Sequence, residues 1–453
     1  MSEIKRESIE YDVVIVGAGP AGLSAAIKLK QLNSNLQVVV LEKGSEVGSH
    51  IISGAVLDPI GLNKLFPNWQ NMGAPIKTKV SDDKFYFLGP AGGIRIPNIL
   101  MPPLMSNHGN YIVSMSKVCR WLATQAEQLG VEIFPGMACS ELIYGNSNEL
   151  KGVIAGEFGK NSSGEPGSMY EPGMEVLGKY IFIAEGVRGS LAKNIISNYN
   201  LAKNSDFPKF GIGIKEVWEV ESGKHREGQV VHTMGWPLGN STGGGSFLYH
   251  GSDNQVYVGF VVHLNYKNPH LFPYKEFQRF KHHPFIYDLL KGGKRIEYGA
   301  RAISEGGVQS VPKLSFPGGV LIGCSAGFVN VPRIKGNHNA ILSGIAAAEA
   351  ANLALSNGRS SDSLEEYEKK IVNGYVFKDL NPVKNVKPLW SRLGLFLGII
   401  LGAIDMWCAN IIGKNLFGTL KHKYPDHSSL DLASKAKIIN YPKADGKISF
   451  ERL

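Results

Sequence analysis

Apolar positions along the chain fall into three kinds of pattern, and each predicts a different element. Short continuous runs at 13–16 and 320–322 each lead through a glycine turn into helical periodicity, from Pro20 to about Leu32 in one case and along an Ala-rich stretch in the other. Runs this short, fully apolar and followed by a helix read as strands of a parallel sheet covered on both faces. A further strand is expected at 37–41, and another ends at Glu185-Gly186 before a helix that opens near Ser190. The middle of the chain reads differently. Residues 205–305 are rich in aromatic and β-branched positions, with period-two stretches such as 255–262, which predicts an antiparallel sheet. The fold class expected is α/β with an α+β insert.

Two apolar segments fit neither sheet. A hairpin expected over 84–97, turning at Pro90-Ala91-Gly92-Gly93, leads into NILMPPLM at 98–105, a loop stiffened by Pro97, Pro102 and Pro103. Apolar side chains on a loop need cover. Core and membrane both remain open as that cover. The stretch GLFLGIILGAIDMWCANIIGK at 394–414 is long enough to span a bilayer, yet it carries Asp405. At about 100° per residue, Gly394, Gly398, Gly402, Asp405, Ala409 and Gly413 share a stripe roughly 80° wide, and Phe396, Ile400, Trp407 and Ile411 lie opposite. The small residues and the aspartate are expected to face protein and the large apolar face lipid. Lys384, Lys387, Arg392, Lys414, Lys421 and Lys423 are expected to meet anionic headgroups. A buried helix and a true span are the alternatives.

Composition narrows the partners. Hydrophobic residues make up 43% and charged residues 19% of 453 positions, which excludes disorder, and the net charge of +9 asks for an anionic partner. The basic residues are scattered without a nucleic-acid module, so no nucleic-acid partner is expected and a lipid surface takes precedence. Cys119, Cys139, Cys324 and Cys408 form no CxxC or Cys/His spacing and read as reduced thiols of a cytosol-facing chain. The polar N-terminus runs straight into a strand, so no leader is expected. The adjacent histidines of KHHP, His282 and His283, read as a solvated helix end.

The chemistry starts at YDVVIVGAGPAGL. Gly17 permits the tight turn, Gly19 lets a pyrophosphate approach the backbone, and Gly22 lets helix and strand close up, with Pro20 and Ala21 opening the helix that receives the phosphates. Glu42, ending the second strand 20 residues past Gly22, suits ribose hydroxyls, and Lys43 follows it. The turns at Gly186 and at Gly323 and Gly327 complete a pattern similar to FAD domains of the glutathione-reductase and hydroxylase superfamily. GIGIKE fails as a second dinucleotide motif at Glu216, so no built-in nicotinamide site is expected. A helix starting around 335–339 would aim its positive end at the flavin. Asn330 just before it either donates to the isoalloxazine ring or caps a turn.

Longer stretches carry a narrower resemblance: EKGSEVGSHIISGAVLDP, GGSFLYH, VGFVVHLNYKNPHLFPYKEFQRFKHHP, YGARAISEGG, LIGCSAGFVNVPRIKGNH and INYPKADGKISFERL. They resemble the electron-transfer-flavoprotein:ubiquinone oxidoreductase family from about Tyr11 onward. The resemblance implies FAD as cofactor, reduced electron-transfer flavoprotein as donor and ubiquinone as acceptor, with Gly244 and Gly245 at the quinone. A plain hairpin turn is the alternative for those glycines. It implies Cys324 as a packing residue beside FAD. It also implies an FAD-binding domain at 1–80, 107–200 and 308–375, a quinone-binding domain at 81–106 and 201–307, and a membrane-associated segment at 376–453. Members usually add a ferredoxin-like domain with a [4Fe–4S] cluster and carry a tyrosine where this chain has Gly243. No cluster ligands are recognisable here, so a separate ferredoxin-like subunit or a shortened chain is expected. The expected location is peripheral, on the cytoplasmic face of a bacterial inner membrane or an organellar matrix face. A reductase of isoprenoids or lipids, of the geranylgeranyl-reductase type, remains the rival enzyme, and a flavoprotein subunit of a ferredoxin-containing complex the rival of another class.

Overall fold

A computed structural model describes residues 6–52, 54–161, 163–422 and 424–426. The expectations for Lys423 and for INYPKADGKISFERL lie outside the described residues. The larger sheet has eight strands, and its centre is the parallel series Glu132–Pro135, Val38–Glu42, Ser8–Val16, Met174–Ile183 and Gly319–Leu321. Val13, Val14 and Ile15 are fully buried, so the strand is covered on both faces, which is why the run is apolar without alternation. Helices Pro20–Leu32 and Asn337–Ser356 pack closely on each other: a Cβ on Gly344 would lie 2.3 Å from the Ala21 carbonyl oxygen. Only glycine permits that approach.

The second sheet has seven strands in the order Lys294–Ser304, Phe210–Glu219, Gln255–His263, Gly244–His250, Gln229–Gly235, Asp82–Leu88 and Gly93–Ile96. Most neighbours are antiparallel, but Gln229–Gly235 and Asp82–Leu88 pair in parallel, because the 82–96 hairpin joins from a distant part of the chain. One face is covered by helices Pro273–Lys281 and Pro284–Leu290, which bury Phe277, Phe280 and Ile286 around Phe260. Residues of the opposite parity, among them Gly213, Gly245, Phe247, Val261 and His263, turn the other face toward a cavity. The KHHP expectation is corrected in one half. His282 is exposed, but His283 is fully buried, accepting from Phe285 N at the start of its helix and lying 3.1 Å from the Gly89 carbonyl.

The segment Val386–Ile412 is two helices broken at Gly394, whose φ of 78° ends the first, so the second starts at Leu395 and not at Gly394. Asn240 caps that second helix, accepting from Leu395 N at 2.7 Å through its carbonyl and from Phe396 N at 2.9 Å through Oδ1. Gly398, Gly402 and Asp405 are buried, while Phe396, Ile400 and Ile411 are exposed, so this part of the stripe faces protein; Ala409 is half-buried, and Gly413, the C-cap, is exposed. Asp405 accepts hydrogen bonds from Asn385 Nδ2, Asn415 Nδ2 and Phe417 N. A buried carboxylate costs several kcal/mol unless its lone pairs are filled. These three donors fill them. Lys387 departs from expectation: it is 5% exposed and paired with Glu305 in the interior, so it meets no headgroup. Lys414 and Lys421 are exposed, and Trp407 is half-buried with its Nε1 donating to the Leu100 carbonyl of the 98–105 loop.

Candidate active site

The carboxyl ends of the parallel strands form one edge, and the glycine turns expected from the sequence converge there. Gly17, with φ 110°, follows Val16, and a Cβ on it would lie 2.5 Å from the Ala184 carbonyl oxygen. A Cβ on Gly22 would lie 2.1 Å from the Gly17 carbonyl oxygen, so the first turn of helix Pro20–Leu32 is seated on the strand it follows. Gly19 and Gly186 are different: a Cβ on either meets nothing within 4 Å. The crevice is therefore open beside the helix N-terminus, where backbone N–H groups are unpaired. Pro20 supplies no N–H at the first helical position, and Ala21 packs under Gly323.

Acidic groups brace the same edge. Glu42 accepts from Ala18 N at 3.0 Å and from Gly44 N at 2.7 Å, tying the first turn to the second strand. Lys43 is exposed, and its charge opposes the burial that raises the Glu185 carboxyl above the ordinary range. Glu185 caps the helix Ser190–Asn198 through Leu191 N and Ala192 N. Gly323 and Gly327, both with positive φ, carry the chain around the end of Gly319–Leu321, and Ser325 Oγ donates to the Gly186 carbonyl. Burial pushes the Cys324 thiol up to about 11, as a packing residue requires. The open crevice, the glycine turns and the acid closing the second strand fit FAD.

Asn330 is placed otherwise than the flavin-donor expectation. Both hydrogens of its fully buried amide go to Asp379, to the backbone carbonyl at 2.8 Å and to Oδ2 at 3.0 Å, and its Oδ1 accepts from Arg333 N. Its side chain caps the 330–335 turn and has no donor left for a ring. The turn delivers Lys335 and Gly336 to the start of helix Asn337–Ser356, where Asn337 Oδ1 is buried without a partner among the described residues.

From that helix start a cavity of about 260 Å³ runs to the outer helix, walled by the second sheet. Gly244 and Gly245 line it, and they open the strand Gly244–His250, so they are not a hairpin turn. They pair with Val262 and Val261 on one side, while the ladder to Gln229–Gly235 stops at Thr233 and Ser246. Their backbone therefore lacks a strand partner on that second side. The outer end is formed by Met101, Pro102 and Met105 of the apolar loop and by Ile399, Gly402 and Met406 of the outer helix. On the far side of those two elements Ile99 is 83% exposed and Phe396 59%.

Lys335, Glu305 and His263 line the wall, with Lys387 behind Glu305, and none of these was foreseen there. Lys335 donates to Asn107 Oδ1 and to the Arg333 carbonyl, and burial with Arg333 nearby brings its ammonium down to about 7. Glu305, His263 and Lys387 form a buried cluster: His263 Nε2 lies 3.5 Å from Glu305 Oε1, and Lys387 Nζ donates to Glu305 Oε2. Burial raises the Glu305 carboxyl, although Lys387 opposes it, and drives His263 well below its usual range. The one signal in the sequence was parity. His263 falls in step with Val261, but which face was the inner one required the register.

A family model for the ubiquinone-binding part of electron transfer flavoprotein-ubiquinone oxidoreductase matches residues 210–303, and one for an FAD binding domain matches residues 12–61. The chain is 48% identical to the electron transfer flavoprotein-ubiquinone oxidoreductase of Pseudomonas aeruginosa, over 99% of this chain and 82% of that one. It is 47% identical to the mitochondrial protein of that name from Arabidopsis thaliana (99% and 70%). The corresponding Rattus norvegicus protein is 46% identical (99% and 74%). Among solved structures, a geranylgeranyl bacteriochlorophyll reductase-like protein of Thermoplasma acidophilum superposes with a TM-score of 0.64 at 20% identity, covering 96% of this chain and 98% of that one, a likeness of fold alone. With relatives this similar over nearly their whole shared length, the chain belongs to the electron transfer flavoprotein-ubiquinone oxidoreductase family.

Proposed function

We propose that this chain holds FAD along the carboxyl edge of its parallel sheet, takes electrons from reduced electron-transfer flavoprotein and passes them to ubiquinone in a membrane. One observation carries the reading: a single cavity joins the N-terminus of helix Asn337–Ser356, at Lys335 and Gly336, to an apolar rim whose outer side chains stand exposed. FAD supplies the ability to accept electrons singly and to give up two. Around it, the amides at Gly19 and Ala21 would bind the pyrophosphate, Glu42 the adenosine ribose, and the start of the long helix would favour negative charge at the ring. The backbone at Gly244 and Gly245, unpaired on one side, would meet the quinone carbonyl.

The apolar loop and the outer helix together make the membrane contact in this reading. Helix residues 395–412 span about 27 Å at 1.5 Å per residue, but Asp405 is committed to the protein body, so the helix lies along the interface as part of a peripheral protein. We place that surface on the cytoplasmic face of a bacterial inner membrane, or the matrix face of an organelle. Among the described residues no three His, Cys, Asp or Glu side chains gather as metal ligands, and the four cysteines are free and apart. They do not fit a [4Fe–4S] cluster. We infer that an iron–sulfur unit outside the described residues, on a separate ferredoxin-like subunit or on a further part of a longer chain, contributes to electron input.

The test is to reduce the FAD-loaded chain with electron-transfer flavoprotein and to follow flavin reoxidation by a short-chain ubiquinone, with and without a ferredoxin-like partner. Quinone-dependent reoxidation in either arm supports the function. Its absence in both overturns it.

A further inference from the structure

Reducing a quinone to a quinol takes two electrons and two protons, and the cavity that would hold the ring is almost wholly apolar. A proton must cross that wall each time. Glu305 is a carboxyl in the wall, 1% exposed, and its Oε1 has no hydrogen-bond partner among the described residues, whereas Oε2 is held by Lys387. An unfilled carboxylate oxygen in such a place costs stability that the fold could avoid with an apolar side chain. Its neighbour is the ring of His263, stacked on Trp390 at 5.1 Å between centroids. That ring and Trp390 border two cavities. On one side is the apolar cavity, and on the other a polar pocket of about 230 Å³ lined by Asn240, Ser241, Asn265 and Lys267. Gly243 makes room for the arrangement, since a Cβ there would lie 2.2 Å from His263 Nδ1.

Resting on the function proposed above, we propose that Glu305 is the proton donor to the quinone and that His263 relays protons to it from the polar pocket behind. In each transfer the O–H bond at Glu305 Oε1 breaks, an O–H bond forms at a quinone oxygen, and the carboxylate keeps the electron pair. A proton from solvent then reaches Nδ1 of His263 through the polar pocket while Nε2 passes its own to Oε1, and exchange with pocket water afterwards moves the remaining ring proton from Nδ1 back to Nε2, ready for the next transfer. Two such transfers, with two electrons delivered through FAD from the reduced flavoprotein donor, convert quinone to quinol. The groups facing Glu305 suit this cycle. Lys387 stabilises the carboxylate after each transfer, and Lys209, itself paired with Asp426, adds a second positive charge beyond it. Asp426 opposes ionisation, and His422 holds the Gly306 carbonyl next in the chain at 2.6 Å. Burial raises the Glu305 carboxyl, so it carries a proton more readily than an exposed acid.

The test uses the full FAD-loaded chain, reduced chemically and then reoxidised in single turnover by short-chain ubiquinone or by ferricenium, which takes an electron and no proton. Glu305→Gln should slow reoxidation by quinone about 100-fold, with ferricenium reoxidation and the quinone concentration for half-maximal rate little changed. Glu305→Asp should recover part of the rate. His263→Gln should slow the quinone reaction about tenfold and shrink its solvent deuterium isotope effect. Because Glu305→Gln leaves Lys387 without its counter-charge, Glu305→Gln with Lys387→Met serves as a second variant that keeps the site neutral, and it should be equally slow. A quinone rate within threefold of the parent in Glu305→Gln, or in Glu305→Gln with Lys387→Met, overturns the relay while leaving the proposed function intact. So does a parallel fall with both acceptors. A parent chain that reacts with ferricenium but never with quinone overturns both.

Discussion

The nucleotide edge and the apolar cavity that begins at Lys335 and Gly336 are built by opposite means. At the edge, the working parts are backbone amides and glycines, each within a few residues of the next, and a side chain is mostly an obstacle. At the cavity, the working parts are buried ionisable groups drawn from positions 263, 305 and 335, held by pairs such as Glu305 with Lys387 behind it. The first kind of site survives in sequence as a motif. The second is specified by register and packing, and two buried acids show how much that matters. Asp405 has three donors and serves structure, whereas Glu305 has one free oxygen at a cavity and serves chemistry.

This contrast can be broken experimentally. Gly22→Leu should have the largest effect: its Cβ falls onto the Gly17 carbonyl, so the purified chain should contain no FAD by absorbance at 450 nm or so. Retained flavin would mean that the edge tolerates side chains after all. Asp405→Ala strands three donors and should lower unfolding free energy by about 3–5 kcal/mol in urea titrations. A loss under about 1 kcal/mol would place Asp405 with the functional acids. Gly245→Leu should cut quinone turnover at least about 100-fold, or about 2.7 kcal/mol, with full flavin content, separating the cavity from the edge. Unchanged turnover would leave these glycines a purely structural role, since a Cβ on Gly245 also lies 2.8 Å from the Thr233 carbonyl oxygen.

A smaller effect concerns pH. His232 and His250 are buried and neutral, with burial lowering them to about 3 and about 4 from 6.5. The unfolded chain takes up their protons first, so their contribution is constant above about pH 6.5 and stability falls as pH drops toward 4. At pH 5 each should cost about 2 kcal/mol. His232→Gln should remove one proton from that slope in urea midpoints measured between pH 7 and pH 4.5; an unaltered slope would show that His232 titrates normally. Smallest of all, Cys324→Ala should cost less than about 1.5 kcal/mol and leave flavin content unchanged, and loss of quinone reduction in that variant would restore a redox role to the thiol.

Much of the plan was legible. The 13–16 run, the three glycines and Glu42 announce a strand, turn, helix and second strand because each step is local. The stripe of Gly398, Gly402 and Asp405 announced which side of the outer helix faces protein, because helical periodicity carries orientation without knowledge of the neighbour. What failed did so for the converse reason. Lys387 looked like a headgroup contact because it lies among surface lysines in sequence, but its partner is Glu305, and no local pattern records a pairing over that separation. Asn330 was open between ring donor and turn cap until Asp379 took both its hydrogens. His283 looked solvated beside His282, and helix Pro284–Leu290 turned it inward.

By itself, then, the sequence determined the dinucleotide crevice, the presence of a second sheet, the apolar outer helix and the family. These depend on periodicity, on conformations that only glycine adopts readily, and on segments long enough to be distinctive. Tertiary structure alone decided that a cavity runs from the start of helix Asn337–Ser356 to the outer helix, that Gly244 and Gly245 open a strand with a free side, and that Glu305 and His263 stand together in its wall with Lys387 paired to Glu305. The physical reason is strand register: a shift of one residue would send His263 to the other face, and no count of residues along the chain sets that register.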